Sequence, residues 1–275
     1  MDMVESGEVS ELIYNKISEN KDALARTYNS SKSSIGYFYI DDLLPKDLAL
    51  KLSEVFPDKT EMKCLKSIRE YKYVSAQMDK HNKLLENVIY AFQDYRIVNL
   101  IGNICNINTL FADESLYAGG ISLMAKHNFL HPHLDNSHDA KRQRWRVLNL
   151  LYYVTPNWEL EHGGHLELWP NGLKKEPVEI ESKFNRLVVM ATHSKSWHSV
   201  NKVKVDSSRR CISNYYFNDL PLRASDKFHV TKFRGRPGDT LKNLILDADA
   251  SLRMLIRKVF KKGIRKNPHI YKKNK

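Results

Sequence analysis

The sequence predicts an α+β protein whose core is mainly β, with helices before and after it. Between residues 117 and 217, short apolar or aromatic runs alternate with turn signals such as Thr155-Pro156-Asn157, a pattern typical of consecutive short strands. In residues 8–28, in residues 80–104 and from Thr240 to about Lys262, apolar residues instead recur at helical spacing. These observations put the β-rich part in the middle of the chain.

The size and composition are typical of a soluble globular protein with one sizeable domain and some additions. The chain has 275 residues, of which 42% are hydrophobic and 28% are charged. No run of about eighteen apolar residues occurs, so we expect no transmembrane helix. The first five residues, Met1-Asp2-Met3-Val4-Glu5, are acidic and lack the apolar core of a signal peptide.

The three cysteines, Cys64, Cys105 and Cys211, are odd in number and lie far apart in the chain. This usage argues against a disulfide framework or a cysteine zinc site, and for a reducing compartment. We therefore expect a cytoplasmic protein in which these side chains serve packing.

The N-terminal part is predicted to consist of helices and one strand. Residues 8–28 form the first helix, and residues 30–34 a short polar linker. Tyr37–Ile40 is a strand, and Leu44-Pro45 starts a helix to about Phe56, with the proline near its first turn. Residues 57–79 are mixed and charged and receive no assignment.

A short stretch in the β-rich part contains His133 and Asp135, separated by one residue. On a β-strand, residues i and i+2 point to the same face, about 6.6 Å apart, so these two side chains can converge on one ion. His198 lies far downstream in an apolar setting. Two imidazoles and one carboxylate form the facial triad of Fe(II) oxygenases. Zinc sites with three protein ligands also exist, so the three residues alone do not choose the metal.

A basic residue follows the distal histidine. Arg209 comes eleven positions after His198 and opens an aromatic-rich, strand-like run. A buried guanidinium beside an open iron site suits a dicarboxylate, which it can hold through paired charge-assisted hydrogen bonds. Arg210 is the alternative anchor, although the strand parity of Arg209 with Ser213 and Tyr215 favours Arg209.

His133, Asp135, His198 and the basic residue after them resemble the motif of the 2-oxoglutarate- and Fe(II)-dependent dioxygenases, and within these the prolyl 4-hydroxylase-like branch. Three further segments are similar to strands of that family and extend the resemblance to about residues 37–219. They are residues 146–154, 163–169 and 184–190. The resemblance implies a double-stranded β-helix of eight short strands, which is a jelly-roll, cupin-like fold, with supporting helices.

The resemblance also implies a set of ligands and a reaction. It makes His133, Asp135 and His198 the catalytic metal ligands, and it implies that Arg209 and Tyr153 bind the far carboxylate of 2-oxoglutarate. Fe(II), 2-oxoglutarate and O2 are implied, and ascorbate is allowed as a reductant. The expected reaction is hydroxylation of an unactivated C–H bond with release of succinate and CO2.

The sequence leaves the substrate open. A prolyl residue in a polypeptide follows from the branch, whereas a free amino acid, a saccharide or a secondary metabolite fits equally, because substrate loops vary while the core is kept. A hypothesis of another class is a non-catalytic jelly-roll protein that binds anionic partners through a basic tail. The complete set of His133, Asp135, His198 and Arg209 argues against that hypothesis.

Three other histidines lie near the motif. His131 shares strand parity with His133, so we expect it to be a wall residue of the site or a substrate contact. We expect His127 and His138 to face solvent.

Two further polar residues allow two interpretations each. Asn136 either hydrogen-bonds within its loop or orients Asp135. Arg186 is expected in a structural ion pair rather than in contact with substrate.

The C-terminal region combines an apolar stripe with a high positive charge. The predicted helix from Thr240 to about Lys262 has its stripe on one side and Gly263 at the position of a C-cap. From residue 250 onward there are ten Lys and Arg and no Asp or Glu, against a formal net charge of +12 for the whole chain. Such a tail favours an anionic partner, namely nucleic acid, an acidic protein or an anionic membrane surface. The alternative is a solvated basic face whose stripe packs on the barrel or on a second copy in a homodimer.

These observations divide the chain into three parts. Residues 1–36 form an N-terminal helix and linker, residues 37–219 the double-stranded β-helix domain with its supporting helices, and residues 220–275 a helical, basic C-terminal extension.

Overall fold

Antiparallel strands form a single curled sheet in the computed structural model, which describes residues 5–260 and 270–271. Within those residues the strands are β1 (Tyr37–Ile40), β2 (Lys63–Lys66), β3 (Glu70–Ser75), β4 (Phe111–Ala112), β5 (Gly120–Met124), β6 (Phe129–Leu134), β7 (Trp145–Tyr153), β8 (Leu166–Leu168), β9 (Val178–Ile180), β10 (Arg186–Ala191), β11 (His198–Val200), β12 (Arg209–Asn218) and β13 (Lys232–Phe233).

The order of strands explains how the sheet encloses a space. The strands β1-β10-β7-β12-β5 form one half and β6-β11-β8-β9 the other, and β3 pairs with both β5 and β6 and so joins the halves. Strands β2, β4 and β13 pair with β3, β12 and β6, respectively. The eight strands β5 to β12 fall within the region where eight were predicted, and the predicted mainly β, jelly-roll fold class is confirmed.

The described helices are α1 (Ser6–Glu19), α2 (Lys21–Ser31), α3 (Lys46–Glu54), α4 (Lys83–Ala91), α5 (Tyr95–Cys105) and α6 (Thr240–Val259). The predicted single helix over residues 8–28 is wrong, because Asn20 ends α1 and its side chain donates back to the carbonyl of Lys16 at 2.9 Å. The predicted single helix over residues 80–104 is wrong too. There the Asp94 carboxylate accepts from the backbone N–H of Arg96 at 2.9 Å and starts a new helix.

Alternation along the long strands separates the hydrophobic core from the inner face. On β7 and β12, Leu150, Tyr152, Ile212 and Tyr216 face the helices and belong to the main core with α1 to α5. Their neighbours one residue away point to the opposite face and line the interior of the curled sheet. The N-terminal helices therefore cover one face of the sheet and leave the other free to form a site.

Residues 57–79, which received no assignment, contain a β-hairpin flanked by two short 3-10 turns. Strands β2 and β3 pair from Lys63 with Val74 to Lys66 with Tyr71. Along β3 the side chains of Lys72 and Val74 share one face and line the interior cavity. This segment therefore forms a wall of the candidate site.

The C-terminal part begins with β13 and continues as the predicted helix α6. The helix packs on the protein through Leu246 and Ala250 and through an ion pair between Arg69 and Asp249. Most of its apolar stripe is exposed, so the alternative in which the stripe packs on the barrel is wrong, while packing on a second copy stays untested. The exposed members are Leu241, Leu244, Ile245, Leu252, Leu255 and Val259. The predicted cap Gly263 and seven of the ten tail cations lie outside the described residues.

Among residues 5–260 and 270–271, no helix has both the length and the apolar character needed to cross a bilayer.

Candidate active site

Two histidines and an aspartate converge on the inner face of the sheet. His133 on β6 is paired directly with His198 on β11, and Asp135 follows the end of β6. The Nε2 atoms of His133 and His198 lie 3.6 Å and 3.8 Å from the two carboxylate oxygens of Asp135. One ligand atom from each residue lies within 4.8 Å of the others, close enough for all three to contact one ion.

The hydrogen bonds of the two histidines leave their Nε2 atoms free to act as ligands. The Nδ1 of His133 lies 3.0 Å from the carbonyl oxygen of His131, and the Nδ1 of His198 lies 3.0 Å from that of Ser196. Because a carbonyl oxygen only accepts, each neutral ring carries its proton on Nδ1 and presents a lone pair on Nε2. Burial, followed by the neighbouring His198, lowers the pKa of His133 to about 3, which keeps its imidazole neutral.

Asp135 is held as a carboxylate in a buried position. Burial by itself would raise its pKa, but His198, Arg146 and His133 outweigh that effect and the pKa lies below its usual range. Its Oδ2 atom has no hydrogen-bond partner. Since buried polar atoms are almost always paired, an unpartnered carboxylate oxygen facing two imidazole nitrogens fits a metal ligand. The donor set of two imidazoles and one carboxylate fits Fe(II).

The three side chains line a cavity of about 130 Å³ that also contains Arg209 and Tyr153. The Arg209 guanidinium lies 5.2 Å from the ring centre of Tyr153, and its Nη2 donates to the sulfur of Met124 at 3.0 Å. Its Nε is buried without a partner. A guanidinium with unused donors in an interior cavity is suited to an anionic ligand. Burial raises the pKa of Tyr153, so its hydroxyl is protonated and can donate.

Arg210 points to the other face of β12. Its Nη1 donates to the backbone oxygen and the hydroxyl of Ser53, at 3.1 Å and 2.8 Å. It does not line the cavity, whereas Arg209, Ser213 and Tyr215 do. The strand parity that favoured Arg209 therefore agrees with the geometry.

The expectation that His131 lines the site is wrong. Leu130 pairs with Val200, and His133 pairs with His198. Between these two pairs, β6 therefore has two intervening residues where β11 has one. This extra residue is a β-bulge, and it turns His131 away from the face that its parity with His133 predicted. His131 instead contacts the ring of Phe129, with the ring centres 4.7 Å apart.

The other polar residues near the motif give mixed outcomes. The prediction that His138 faces solvent is wrong, since its ring lies 4.1 Å from that of Trp145 and is buried, whereas His127 is exposed as expected. Asn136 donates to the Tyr117 hydroxyl at 3.1 Å and to the carbonyl of His138 at 3.0 Å. These bonds match the interpretation in which Asn136 bonds within its loop.

Arg186 forms the expected structural ion pair. Its Nε and Nη2 donate to the two oxygens of Asp41 at 2.5 Å and 2.9 Å. This fork joins β10 to the loop after β1.

Two charged residues of the site were not predicted from the sequence. Arg146 lies with its Nη1 3.9 Å from Asp135, and its guanidinium lies 4.4 Å from the ring centre of Tyr215. Lys72 lines the cavity from β3 and pairs with Glu70 at 3.1 Å. The alternation of Tyr71 and Tyr73 with Lys72 was a strand signal that could have revealed the position of this lysine.

Comparison with known proteins finds a family match in the β-rich part of the chain. The model of the 2OG-Fe(II) oxygenase superfamily matches residues 119–218. A solved prolyl-4-hydroxylase from Pseudomonas putida is 16% identical, with a TM-score of 0.54, over 71% of this chain and 98% of its own. A prolyl hydroxylase from Trichoplax adhaerens, in complex with a peptide fragment of a hypoxia inducible factor oxygen degradation domain, is 18% identical, with a TM-score of 0.50, over 74% of this chain and 92% of its own.

A third solved structure covers more of this chain. It is a prolyl 4-hydroxylase from Phytophthora capsici that is 18% identical, with a TM-score of 0.50, over 92% of this chain and 80% of its own. At these identities the three structures show a common fold.

The matched region contains the five predicted site residues, all of which line the cavity: His133, Asp135, Tyr153, His198 and Arg209. The oxygenases of this superfamily use Fe(II) and 2-oxoglutarate and are oxidoreductases. Residues 119–218 of this chain therefore match the 2OG-Fe(II) oxygenase superfamily in sequence, and the fold around them is similar to that of solved prolyl hydroxylases.

Proposed function

We propose that this protein is a 2-oxoglutarate-dependent dioxygenase that hydroxylates an unactivated C–H bond and releases succinate and CO2, with His133, Asp135 and His198 holding the Fe(II). The observation that supports this most is the convergence of two imidazoles on a buried carboxylate whose Oδ2 has no hydrogen-bond partner. A structural cluster would pair that oxygen with a donor. A facial set of three protein ligands also leaves coordination positions for other groups.

The side chains around the metal position have separable roles in this proposal. Arg209 binds the far carboxylate of 2-oxoglutarate, and the Tyr153 hydroxyl donates a hydrogen bond to the same group. Hydrogen bonds to charged groups contribute roughly 1.5–3 kcal/mol each, which is enough to fix the orientation of the co-substrate. The bound metal and co-substrate supply the oxidising chemistry, and the protein positions them.

The apolar lining excludes water from the reacting centre. Met124, Leu151, Leu166 and Val200 line the same cavity as the three proposed ligands. Excluding water strengthens the electrostatic interactions inside the cavity and limits side reactions. Arg146, which lies close to Asp135, keeps that carboxylate ionised and ready to bind a cation.

A prolyl residue in a polypeptide is the first substrate class to test. The three solved structures described above are of prolyl hydroxylases, and one of them is in complex with a peptide fragment. The sequence resemblance to the prolyl 4-hydroxylase-like branch points to the same class. Free amino acids, saccharides and secondary metabolites form the second panel of the same screen.

The test begins with binding, because it needs no substrate. Under anaerobic conditions, Fe(II) and 2-oxoglutarate should give the wild-type protein a weak visible charge-transfer band. The His133→Ala variant should lose that band, while His127→Ala, which changes an exposed histidine, should keep it. A wild-type protein without the band, or a His133→Ala variant that retains it, would contradict the proposed site.

The reaction itself is then tested by a screen for succinate release. Each panel member that stimulates succinate formation is analysed by mass spectrometry for one added oxygen atom. Succinate release without an oxygenated acceptor, across both panels, would argue against hydroxylation of these classes. A protein that binds polyanions but neither Fe(II) nor 2-oxoglutarate would favour the non-catalytic alternative.

A further inference from the structure

The strand β13, which lies beyond the matched family region, borders the candidate metal site. Phe233 on β13 is paired directly with His133 on β6. The two rings are nearly parallel, with an interplanar angle of 19° and centres 5.2 Å apart. On its other side, the His133 ring contacts that of His198, with centres 4.0 Å apart. Phe233 is 6% exposed, so its ring is a buried neighbour of the imidazole.

Arg236, three residues after Phe233, forms hydrogen bonds that connect it to β11, the strand that carries His198. Its Nη1 and Nη2 donate to the two oxygens of Glu167 on β8 at 3.0 Å and 2.6 Å, a bidentate pair. Glu167 also accepts from the hydroxyl of Ser199 at 2.6 Å, and Ser199 directly follows His198. The Nη2 of Arg236 also donates a hydrogen bond to the carbonyl oxygen of Val200 on β11, at 3.3 Å.

Residues 232–236 therefore connect the strands of both histidines. Phe233 contacts His133 on β6, and Arg236 reaches β11 directly at Val200 and through Glu167 and Ser199. The main chain completes the connection, because the N–H of Arg234 donates to the carbonyl of Pro132 at 2.8 Å.

We propose that residues 232–236 are a positioning segment for the metal site, in which Phe233 fixes the plane of the His133 imidazole and Arg236 fixes the strand of His198. This inference rests on the proposed function, in which those two histidines hold the metal. Phe233 and Arg236 act through other residues and do not themselves contact the ion.

The physical reason lies in the freedom of a metal-ligating imidazole. The hydrogen bond from Nδ1 to the carbonyl of His131 restrains one edge of the His133 ring. Without the flat neighbour Phe233, the ring can rotate about its side-chain bonds into the space left behind. Losing an interaction that orients a ligand typically costs about 10–100-fold in metal affinity.

Cobalt(II) is a suitable probe, because its visible spectrum reports both occupancy and coordination geometry. The metal-free, full-length protein is titrated anaerobically with Co(II) alone. We expect Phe233→Ala to raise the Kd for Co(II) by about tenfold, by analogy with other orienting residues, and to change the shape of the visible bands. Phe233→Tyr keeps the flat ring, so its Kd for Co(II) and its visible bands should stay close to those of the wild type. Phe260→Ala, which removes an exposed phenylalanine after α6, should behave as wild type.

A matched pair of arginines tests the second contact. Arg236→Gln should raise the Kd for Co(II) several-fold, while Arg253→Gln should not. Arg253 pairs with Asp249 within α6 at 2.9 Å, so this ion pair lies outside the connection between the strands.

A purely structural role would give a different result. It would lower the melting temperature while leaving the Co(II) spectrum and Kd unchanged at temperatures where the variant is folded. A folded Phe233→Ala with wild-type Kd and spectrum would therefore overturn this inference and leave the proposed function intact. If the wild-type protein binds no Co(II), the proposed function fails and this inference fails with it. Should Phe233→Ala not fold, Phe233→Leu, which keeps most of the volume but not the flat ring, is judged by the same criteria.

Discussion

His133 and His198 occupy directly opposed positions on neighbouring antiparallel strands, with their ring centres 4.0 Å apart. Directly opposed residues on such strands have Cβ atoms about 4.5–5.5 Å apart. The register of the sheet therefore fixes the separation of two proposed metal ligands, and only Asp135 comes from outside a strand. Because the register holds the two strands at a fixed separation, a shift of one strand cannot compensate for the loss of an imidazole on the other.

Removing the second histidine should abolish metal binding. His198→Ala leaves one imidazole and one carboxylate, so we expect its iron content after anaerobic reconstitution to fall to that of a buffer control. Iron is measured by inductively coupled plasma mass spectrometry, and circular dichroism checks that the variant is folded. His127→Ala, which changes an exposed histidine outside the site, serves as the control. Near-stoichiometric iron in His198→Ala would exclude His198 as a ligand.

The two adjacent arginines should differ strongly in their effect on 2-oxoglutarate. Arg209 lines the cavity, whereas Arg210 donates to Ser53 on the opposite face. With roughly 1.5–3 kcal/mol for each charge-assisted bond, Arg209→Gln should raise the Kd for 2-oxoglutarate about 10–100-fold. Arg210→Gln should leave it within about twofold, which is less than 0.5 kcal/mol. The charge-transfer band, titrated with 2-oxoglutarate, gives both constants. Equal effects of the two changes would remove Arg209 as the specific anchor.

The pair of Asp41 and Arg186 should make stability depend on pH in the acidic range. Burial alone would raise the pKa of Asp41, but its hydrogen bonds and ion pairs with Arg186 and Lys183 give it a net lowered value. A carboxylate with a lowered folded-state pKa contributes stability above its unfolded value, about 3.9, and loses it as pH falls through the folded value.

Asp41→Asn should therefore be destabilised at pH 6 and approach wild type below about pH 4. Because the Asp41 side chain is 29% exposed, solvent screening limits the expected loss to about 1 kcal/mol. Urea unfolding at several pH values measures the difference. Asp206→Asn, at an exposed position before β12 and outside any helix, should show little effect at any pH. A difference that grows as pH falls would contradict the assigned sign.

Asn185 should be one of the residues on which the fold depends most. Its Oδ1 accepts from the Tyr152 hydroxyl at 2.7 Å and from the N–H of Leu44 at 3.1 Å, and its Nδ2 donates to the carbonyl of Leu44 at 2.7 Å. Asn185→Ala leaves these buried groups unpaired, and each unpaired group costs about 1–3 kcal/mol, so we expect a loss of at least about 3 kcal/mol.

The matched control for this change is Asn157→Ala. Asn157 and Asn185 both have a left-handed backbone, with φ of 52° and 62°, but Asn157 is exposed. We expect Asn157→Ala to cost only about 1 kcal/mol, for the backbone strain of alanine. Equal losses in the two variants, measured by urea unfolding, would show that backbone strain and not the hydrogen bonds explains the effect at Asn185.

The sequence predicted those features that depend on period and on local chemistry. Alternation along β12 favoured Arg209 over Arg210, and the geometry agrees. The same rule failed for His131, because a β-bulge depends on the partner strand and leaves no local signal there. The breaks at Asn20 and Asp94 were missed because apolar spacing continues across them, although both residues are of types that favour helix ends.

Long-range contacts could not be predicted from the sequence. Nothing in residues 57–79 indicates that β3 pairs with both β5 and β6, and nothing around Phe233 indicates that its ring faces His133. These contacts join segments about sixty and one hundred residues distant from the motif, and they follow from how the sheet curls.

One edge of β6 has a consequence for any shortened form of the protein. That edge is shared by β3, beside Phe129 and Leu130, and by β13, beside His133 and Leu134. A polypeptide ending at residue 218, where the family match ends, would expose the peptide groups of the histidine-bearing part of β6 to solvent and to other chains. An open strand edge invites aggregation, so the catalytic unit that can be produced on its own has to extend past residue 236.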